Sequence, residues 1–429
     1  MTSPPEWMIL APHATHTPGG FPMFLRPYDP ARDFEDACRI WKEVGWMEDG
    51  QEEIEKSFLD GSTAWAAEWN GHVESLVTVA PGEMRYLDAD LRLAAVTGVV
   101  VGRVARKQGL GMRLTAKALA EAAANGAQVG GLSIFDQGFY DKLGFGTGGY
   151  EHSFTFDPAD LTVPNPSRPP IRLTKDDWER VHAARRKGRR GHGSCILHPA
   201  GLTRADMLWE KKAFGLGYTN EDGELTHFLW ASPKNVAHGP YTVWWLVYRN
   251  GAQLLELFSL LKSWSDQVHT VEIGEPPEIQ MQDLLRQPFR TRRTRREGKH
   301  RLESRAAAYY QWRILDLPAC IASMRVSAPL RFALHLHDPI GRYLPENAPW
   351  RGLTGEYTLS LGETCTVHPG GETGLPVLEA SVGAFTRWWL GVLPASSLAL
   401  TDDFQAPPAL LSALDEALCL PQPHPRWEF

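Results

Sequence analysis

The sequence predicts an α/β (α+β) chain of two or three globular domains, and three observations carry that expectation. A length of 429 residues with 43 % hydrophobic side chains exceeds what one core takes up. A strand-then-helix pattern opens at "FLRPY" and restarts at "IRLTKDDWERVHAARRKGRRG", so the chain contains an internal repeat. From "YQWRILDLPACIAS" onward the pattern changes to a strand, a helix and then strands in series.

The elements follow in order. After "FLRPY", Asp29 or Asp33 caps the amphipathic helix "DFEDACRIWKEVG", and "QEEIEKSFL" reads as a second helix. "TAWAAEWNGHVESLVTVAP" is two strands joined at Asn70 and Gly71, the strongest short hairpin signal, and "LRLAAVTGVVVG" is a more buried strand. From residue 109 to 125 apolar side chains recur at helical spacing, at Leu110, Leu114, Ala118, Leu119 and Ala122, and Gly126 ends the helix. "VGGLSIFDQGFYDKLGFGTGG" reads as strand, loop, short helix and strand.

Chemistry first shows at "VVVGRVARKQGLGMRL", residues 99–114. Gly109 and Gly111 sit at a strand-to-helix turn, where unpaired amides and the positive end of the helix dipole converge and missing side chains admit an anion; Arg106 and Lys107 add full charges. The spacing is neither that of a P-loop nor that of a dinucleotide fingerprint. By itself such a turn is more often plain structure.

The run Arg106, Lys107, Gln108, Gly109, Leu110 and Gly111 matches the R/Q-x-x-G-x-G/A coenzyme A signature of the GNAT acetyltransferases, and "FYDKLGF" resembles their second, thiol-end element. With its final "PRWEF", the chain resembles the enhanced intracellular survival family: two fused GNAT domains followed by a sterol-carrier-like domain. The resemblance implies acetyl-CoA as co-substrate, bound by the backbone of Val99, Val100 and Val101, by residues Arg106 to Met112 (Arg106, Lys107, Gln108, Gly109, Leu110, Gly111, Met112), and by Phe135 and Asp136. It implies Tyr140 as general acid, the α-carboxylate of Phe429 as base, and Glu428 and Trp46 as contacts of a small cationic amine, aminoglycoside- or polyamine-like. It also implies a homohexamer. The alternative is a non-catalytic acyl-CoA-binding or lipid-carrier protein.

Residues 157–170, "DPADLTVPNPSRPP", read as a proline-rich linker, which places a catalytic domain at 1–160. A second domain spans 161–305. "YTVWWLVYRN", "GAQLLELFSLLKSW" and "VHTVEIG" repeat the order around the first cofactor turn, but Arg249, Asn250 and Gly251 make a poor pyrophosphate cradle, so this copy is expected to be degenerate. Residues 306–429 form the sterol-carrier-like domain.

A net charge of −7 argues against nucleic acid as the main ligand, although the basic run 286–305 invites it; charged edge hairpins have the same composition. Five scattered cysteines show neither a disulfide framework nor zinc spacing, and His335 with His337 reads as one strand face, so no metal is expected. No stretch reaches the length of a membrane span, and the leader lacks signal-peptide character, which points to the cytoplasm. Trp41, Trp46, Trp65 and Trp69 with Glu48, Asp49, Glu52 and Glu53 are either an aromatic, acidic acceptor cleft or core rings beside a solvated helix start.

Overall fold

The structure is a computed structural model that describes residues 14–16, 22–134, 138–166, 168–288 and 303–429. The first part of the chain forms β1 (Ala14–His16), β2 (Pro22–Pro27), α1 (Pro30–Val44), α2 (Glu52–Leu59), β3 (Thr63–Trp69), β4 (His72–Tyr86), β5 (Ala89–Val101), α3 (Leu110–Ala124), β6 (Val129–Ser133), β7 (Gly146–Thr147) and β8 (Glu151–Phe156). The repeat continues with β9 (Ile171–Leu173), α4 (Trp178–Arg186), β10 (Cys195–Leu197), α5 (Ala200–Trp209), β11 (Phe214–Thr219), β12 (Leu225–Pro233), β13 (Tyr241–Val247), α6 (Gly251–Lys262), β14 (Val271–Gly274) and β15 (Glu303–Ala307). The last part holds β16 (Tyr310–Ile314), α7 (Leu317–Ala322), β17 (Leu330–His337), β18 (Gly355–Leu361), β19 (Thr366–Pro369), β20 (Val377–Ser381), α8 (Val382–Trp389), α9 (Ala395–Thr401), β21 (Phe404–Gln405) and α10 (Pro408–Ala417).

Local chemistry accounts for many of these boundaries. Asp29 caps α1 by accepting the Ala31 amide (3.0 Å), whereas Asp33 binds Arg26 (2.6 Å). Asn70 and Gly71 both take positive φ, 54° and 81°, which gives the hairpin between β3 and β4. Helix α3 buries the stripe Leu110, Leu114, Ala118 and Leu119 against the first sheet.

Among the described residues three sheets form, of nine, seven and five strands. The first runs β1-β2-β3-β4-β5-β6-β16-β7, with β10 on β4; the second runs β15-β8-β14-β13-β12-β11-β9; the third runs β19-β18-β17-β20-β21. The first two exchange strands. β8 leaves the first part of the chain to lie between β14 and β15, and β16, which sequence reading assigns to the third domain, lies between β6 and β7. The sheets are thus assembled from segments on both sides of the expected boundaries at residues 160 and 305. Arg313 of β16, fully buried, pairs with the buried Asp338 (2.6 Å) and donates to the Leu143 carbonyl, tying the first sheet to the third.

Part of the expected linker packs against the second core. Leu161 and Val163 are buried in the second core, and Leu161 bridges to Leu285. The third sheet and its helices close over Phe332, Phe385, Trp388 and Trp389. Of the basic run, residues 289–302 lie outside the described residues; Glu303 to Ala307 form the edge strand β15.

Candidate active site

The first sheet opens where β5 leaves β6. Parallel pairing runs from Leu93 opposite Val129 to Val96 opposite Leu132, and there it stops while β5 continues to Val101. Thr97 is the extra residue of a bulge against β4, because Thr78 faces Gly98 and Val79 faces Val96. Among the described residues, the β6-facing edge of residues 97–101 has no strand partner. Successive backbone groups point to opposite edges, and the Gly102 amide donates to the Glu74 carbonyl of β4, so Val100 faces β4 while Val99 and Val101 offer backbone groups to anything that enters this opening.

The glycine turn stands beside it. Lys107 and Gly109 take φ of 63° and 77°, nothing lies within 4 Å of where a Gly109 Cβ would sit, and no side chain caps α3. Arg106, Lys107, Gln108 and Gly109 are exposed, so the first amides of α3 face outward through an unobstructed turn. Gly111 is buried: its Cβ would lie 3.3 Å from Val101 and 3.5 Å from Val99, so its small size lets the helix start dock on the opened strand. Leu110 and Met112 point into the core, 1 % and 7 % exposed, which leaves only their backbone for a ligand.

The second domain lacks this turn. Asn250 caps α6 by accepting the Gln253 amide (3.1 Å), Gln253 accepts the Arg249 amide (2.8 Å), and Arg249 pairs with Glu224 (2.7 Å). The Arg249 and Gln253 amides, which an anion at this turn would use, are thereby satisfied within the protein.

Tyr140 lies on the short 3₁₀ turn Tyr140–Leu143, packed edge-on to Phe139 (4.9 Å) and near Phe145 (6.2 Å). Burial pushes its hydroxyl up to about 12. Phe139 also reaches to 4.0 Å from the Gly111 Cβ position, so the Tyr140 turn adjoins the start of α3. Phe135 and Asp136 lie outside the described residues.

Phe429 arrives from the opposite face. Along β16, Gln311 and Arg313 point toward the Tyr140 turn, where Gln311 donates to Asp141 (2.7 Å), while Tyr310 and Trp312 point the other way. The Phe429 ring packs on those two, at 5.4 and 6.1 Å; Tyr310 pairs with Ser133, just past the last β5 partner of β6, and Trp312 with Gly131, inside the paired stretch. Tyr140 and Phe429 thus flank one stretch of sheet from its two sides.

Next to Phe429 a cavity of 380 Å³ is lined by Glu151, Trp244, Tyr309, Tyr310, Trp427 and Glu428, among others. Burial, reinforced by Glu428, pushes the Glu151 carboxyl up to about 8. Glu428 keeps contact with solvent but is ringed by protein, and that confinement, with Asp206 adding to it and Arg185 opposing it, pushes the carboxyl up to about 7. Sequence reading missed Glu151 and Arg185, whose neighbours come from distant segments and leave no local signal.

Trp46 and the acids near it have partners within the protein. Trp46 is half-buried, edge-on to the core ring of Trp41 (5.6 Å). The nearby acids are ion-paired: Glu52 and Asp49 with Lys42 (2.9 and 2.8 Å), Glu48 with Lys211 (3.2 Å) and Glu53 with Arg204. Trp65 is a core ring with Lys117 over it (4.5 Å). Among the described residues no group of three or more His, Cys, Asp or Glu side chains is arranged to hold a metal, and no helix is long and apolar enough to cross a membrane.

Residues 26–148 match the family described as acetyltransferase (GNAT) domain. A probable N-acyltransferase of unknown function from Enterococcus faecalis superposes at TM-score 0.75 with 16 % identity, over 95 % of this chain and 100 % of that one. A GCN5-related N-acetyltransferase from Anabaena variabilis superposes at 0.76 with 13 % identity, and Eis1 from Mycobacterium abscessus at 0.72 with 16 %, each over 95 % of this chain and 100 % of the other. No curated protein matches the sequence. The chain carries a GNAT acetyltransferase domain and is an acyltransferase; its fold, tandem GNAT-like units plus a further domain, is similar to that of Eis1.

Proposed function

We propose that the protein transfers acetyl from acetyl-CoA to an amine of a small cationic acceptor in the cleft of its first domain, at residues 1–160. One observation carries the reading: the sheet opens between β5 and β6 with an uncapped glycine turn beside it, Tyr140 on one face and Phe429 on the other. The turn from Arg106 to Met112 suits a pyrophosphate, and the free edge at Val99 and Val101 suits the amide-bearing arm and polarises the thioester carbonyl. The second unit, residues 161–305, supports the site without binding coenzyme.

The chemistry follows from the two faces. The amine nitrogen attacks the acetyl carbon, a C–N bond forms, and the C–S bond breaks. A proton leaves nitrogen for the α-carboxylate of Phe429, the base implied by the resemblance to the enhanced intracellular survival family. Tyr140, held at about 12, stays protonated throughout the neutral range and donates its hydrogen bond to the departing sulfur. A phenol this weak is a poorer acid than a thiol of about 8.5, so it stabilises the thiolate more than it protonates it.

The aromatic rings that line one cavity with Glu151 and Glu428 support an amine-bearing acceptor; Arg185, Arg189, Arg190 and Arg426 line it too and both acids are pushed toward their protonated forms, so the acceptor's positive charge is carried over from the resemblance. The large side chains that fill the third domain, residues 306–429, support a packing role within a sterol-carrier-like fold over lipid carriage. A homohexamer, by resemblance, and a cytoplasmic location, from the scattered cysteines and the character of the leader, complete the reading. The test is acetyl-CoA turnover against a panel of mono-, di- and polyamines, read by free thiol. Thiol release that depends on amine supports it; coenzyme binding without turnover of any amine replaces it with a non-catalytic acyl-CoA-binding protein.

A further inference from the structure

The last residues cross the second domain before they reach the first. The His424 amide donates to the His192 carbonyl (3.0 Å), the Cys195 amide to the Pro425 carbonyl (2.8 Å), Arg426 to the Tyr248 carbonyl (3.3 Å), and the Tyr310 hydroxyl to the Trp427 carbonyl (3.2 Å). Arg426 also lies over the Tyr248 ring (4.8 Å), at the end of β13 where a working GNAT unit would begin its cofactor turn. The Arg185 guanidinium lies 3.9 Å from the Trp245 ring centre and 4.0 Å from that of Trp427. The one guanidinium thus touches both indoles, and this shared contact acts as a clamp. Thr203 and Asp206 hold its edge (3.1 and 3.3 Å), and Arg185 is only 7 % exposed.

We propose that Arg185 is a positioning residue for the acetyltransfer site: it pins Trp427 to the second domain and thereby sets Glu428 and Phe429 on the acceptor face of the first-domain cleft. The degenerate unit, which has lost its anion turn, has instead become the mount for this segment. The physical need is plain. Terminal stretches fray unless tied down, and a side chain displaced by about 1 Å loses catalytic effect on the order of 10²-fold. Contact with two rings at once requires the flat, delocalised guanidinium; an ammonium at the same place keeps the charge toward Asp206 and loses the clamp.

This inference rests on the proposed acetyltransfer reading. Arg185→Lys and Arg185→Ala are compared with the native protein by hydrogen exchange of the peptide covering residues 421–429 and by steady-state kinetics with an amine from the panel. Expected for Arg185→Lys are exchange about 10-fold faster in that peptide alone, kcat lower by about 10-fold or more, and an unchanged KM for acetyl-CoA. Should Arg185→Ala fail to fold, Trp427→Leu removes the clamp from its other side and must give the same pattern. Native exchange at 421–429 in folded Arg185→Lys, or a lowered kcat without faster exchange, overturns the proposal. If Phe429 deletion leaves kcat intact, the catalytic reading has failed; if deletion abolishes kcat and Arg185→Lys does not lower it, only the positioning role has.

Discussion

Phe429 packs on Tyr310 at 5.4 Å between ring centres, and the Tyr310 hydroxyl holds the Trp427 carbonyl two residues earlier. An aromatic side chain from a strand inserted into the first sheet therefore seats the last residues of the chain. Deleting Phe429, or extending the chain past it, is expected to lower kcat by about 10² or more while coenzyme affinity stays unchanged. Calorimetric binding of coenzyme A and turnover on the same preparations check it; full activity in the extended protein removes Phe429 from the reaction.

Tyr140→Phe is expected to keep coenzyme binding and to slow turnover by about 10², the usual effect of losing one positioned hydrogen-bond donor to a developing negative charge. Because burial holds the hydroxyl at about 12, its ionisation leaves no alkaline fall in kcat up to pH 9. A tyrosine-dependent limb near pH 8 in the native pH–rate profile contradicts the assignment.

The two glycines are expected to behave differently. Gly109→Asp meets open space and tolerates positive φ better than most residues, so the fold survives while a negative charge in the turn lowers coenzyme affinity by about 10-fold or more. Gly111→Leu drives side-chain atoms into Val99 and Val101 and is expected to cost about 1–3 kcal/mol of stability, since this position is buried and not on the surface as the turn alone suggests. Thermal melts with binding isotherms separate the two.

Glu151 links stability to pH. Its folded-state value, about 8, lies above the ordinary carboxylate range, so the folded state holds the proton more tightly than the unfolded chain does. The stabilisation it contributes is complete below about pH 4, declines as pH rises, and is gone above about pH 8. Glu151→Gln removes that loss. Its melting temperature is expected to match the native protein at pH 4 and to exceed it increasingly up to pH 8; equal melting temperatures at pH 8 and above refute the coupling.

Asp338→Ala leaves the Arg313 guanidinium buried without its carboxylate, at a cost on the order of 3–5 kcal/mol. Since Arg313 lies on β16 inside the first sheet and Asp338 belongs to the third unit, first and third units are expected to lose stability together in one calorimetric transition. A destabilised third unit beside an unaltered first one speaks against this coupling.

Much of the fold and of the cofactor turn was legible because the signals are short-range. Period-3.6 apolar spacing placed α3, Asn70 and Gly71 placed a hairpin, and Gly109 and Gly111 placed the turn at the uncapped start of α3; each depends on backbone preferences within a few residues. The expectations for Tyr140 and Phe429 came instead from the resemblance at "FYDKLGF" and "PRWEF". What a local reading cannot supply is which surface a segment meets. "YQWRI" reads as a strand in any context, yet only the packed chain decides that it fills the gap between β6 and β7 while β8 crosses to the other sheet. The acids at and before the start of α2 looked available until Lys42 of α1, Arg204 of α5 and Lys211 paired with them, and Glu151, Arg185 and Glu428 looked unrelated. The sequence by itself determined the repeated units and the chemistry of the turn, because those follow from neighbouring residues. The tertiary structure alone decided the strand exchange, the clamp on Trp427 and the cavity beside Phe429, because burial and pairing depend on what distant segments bring to the same place.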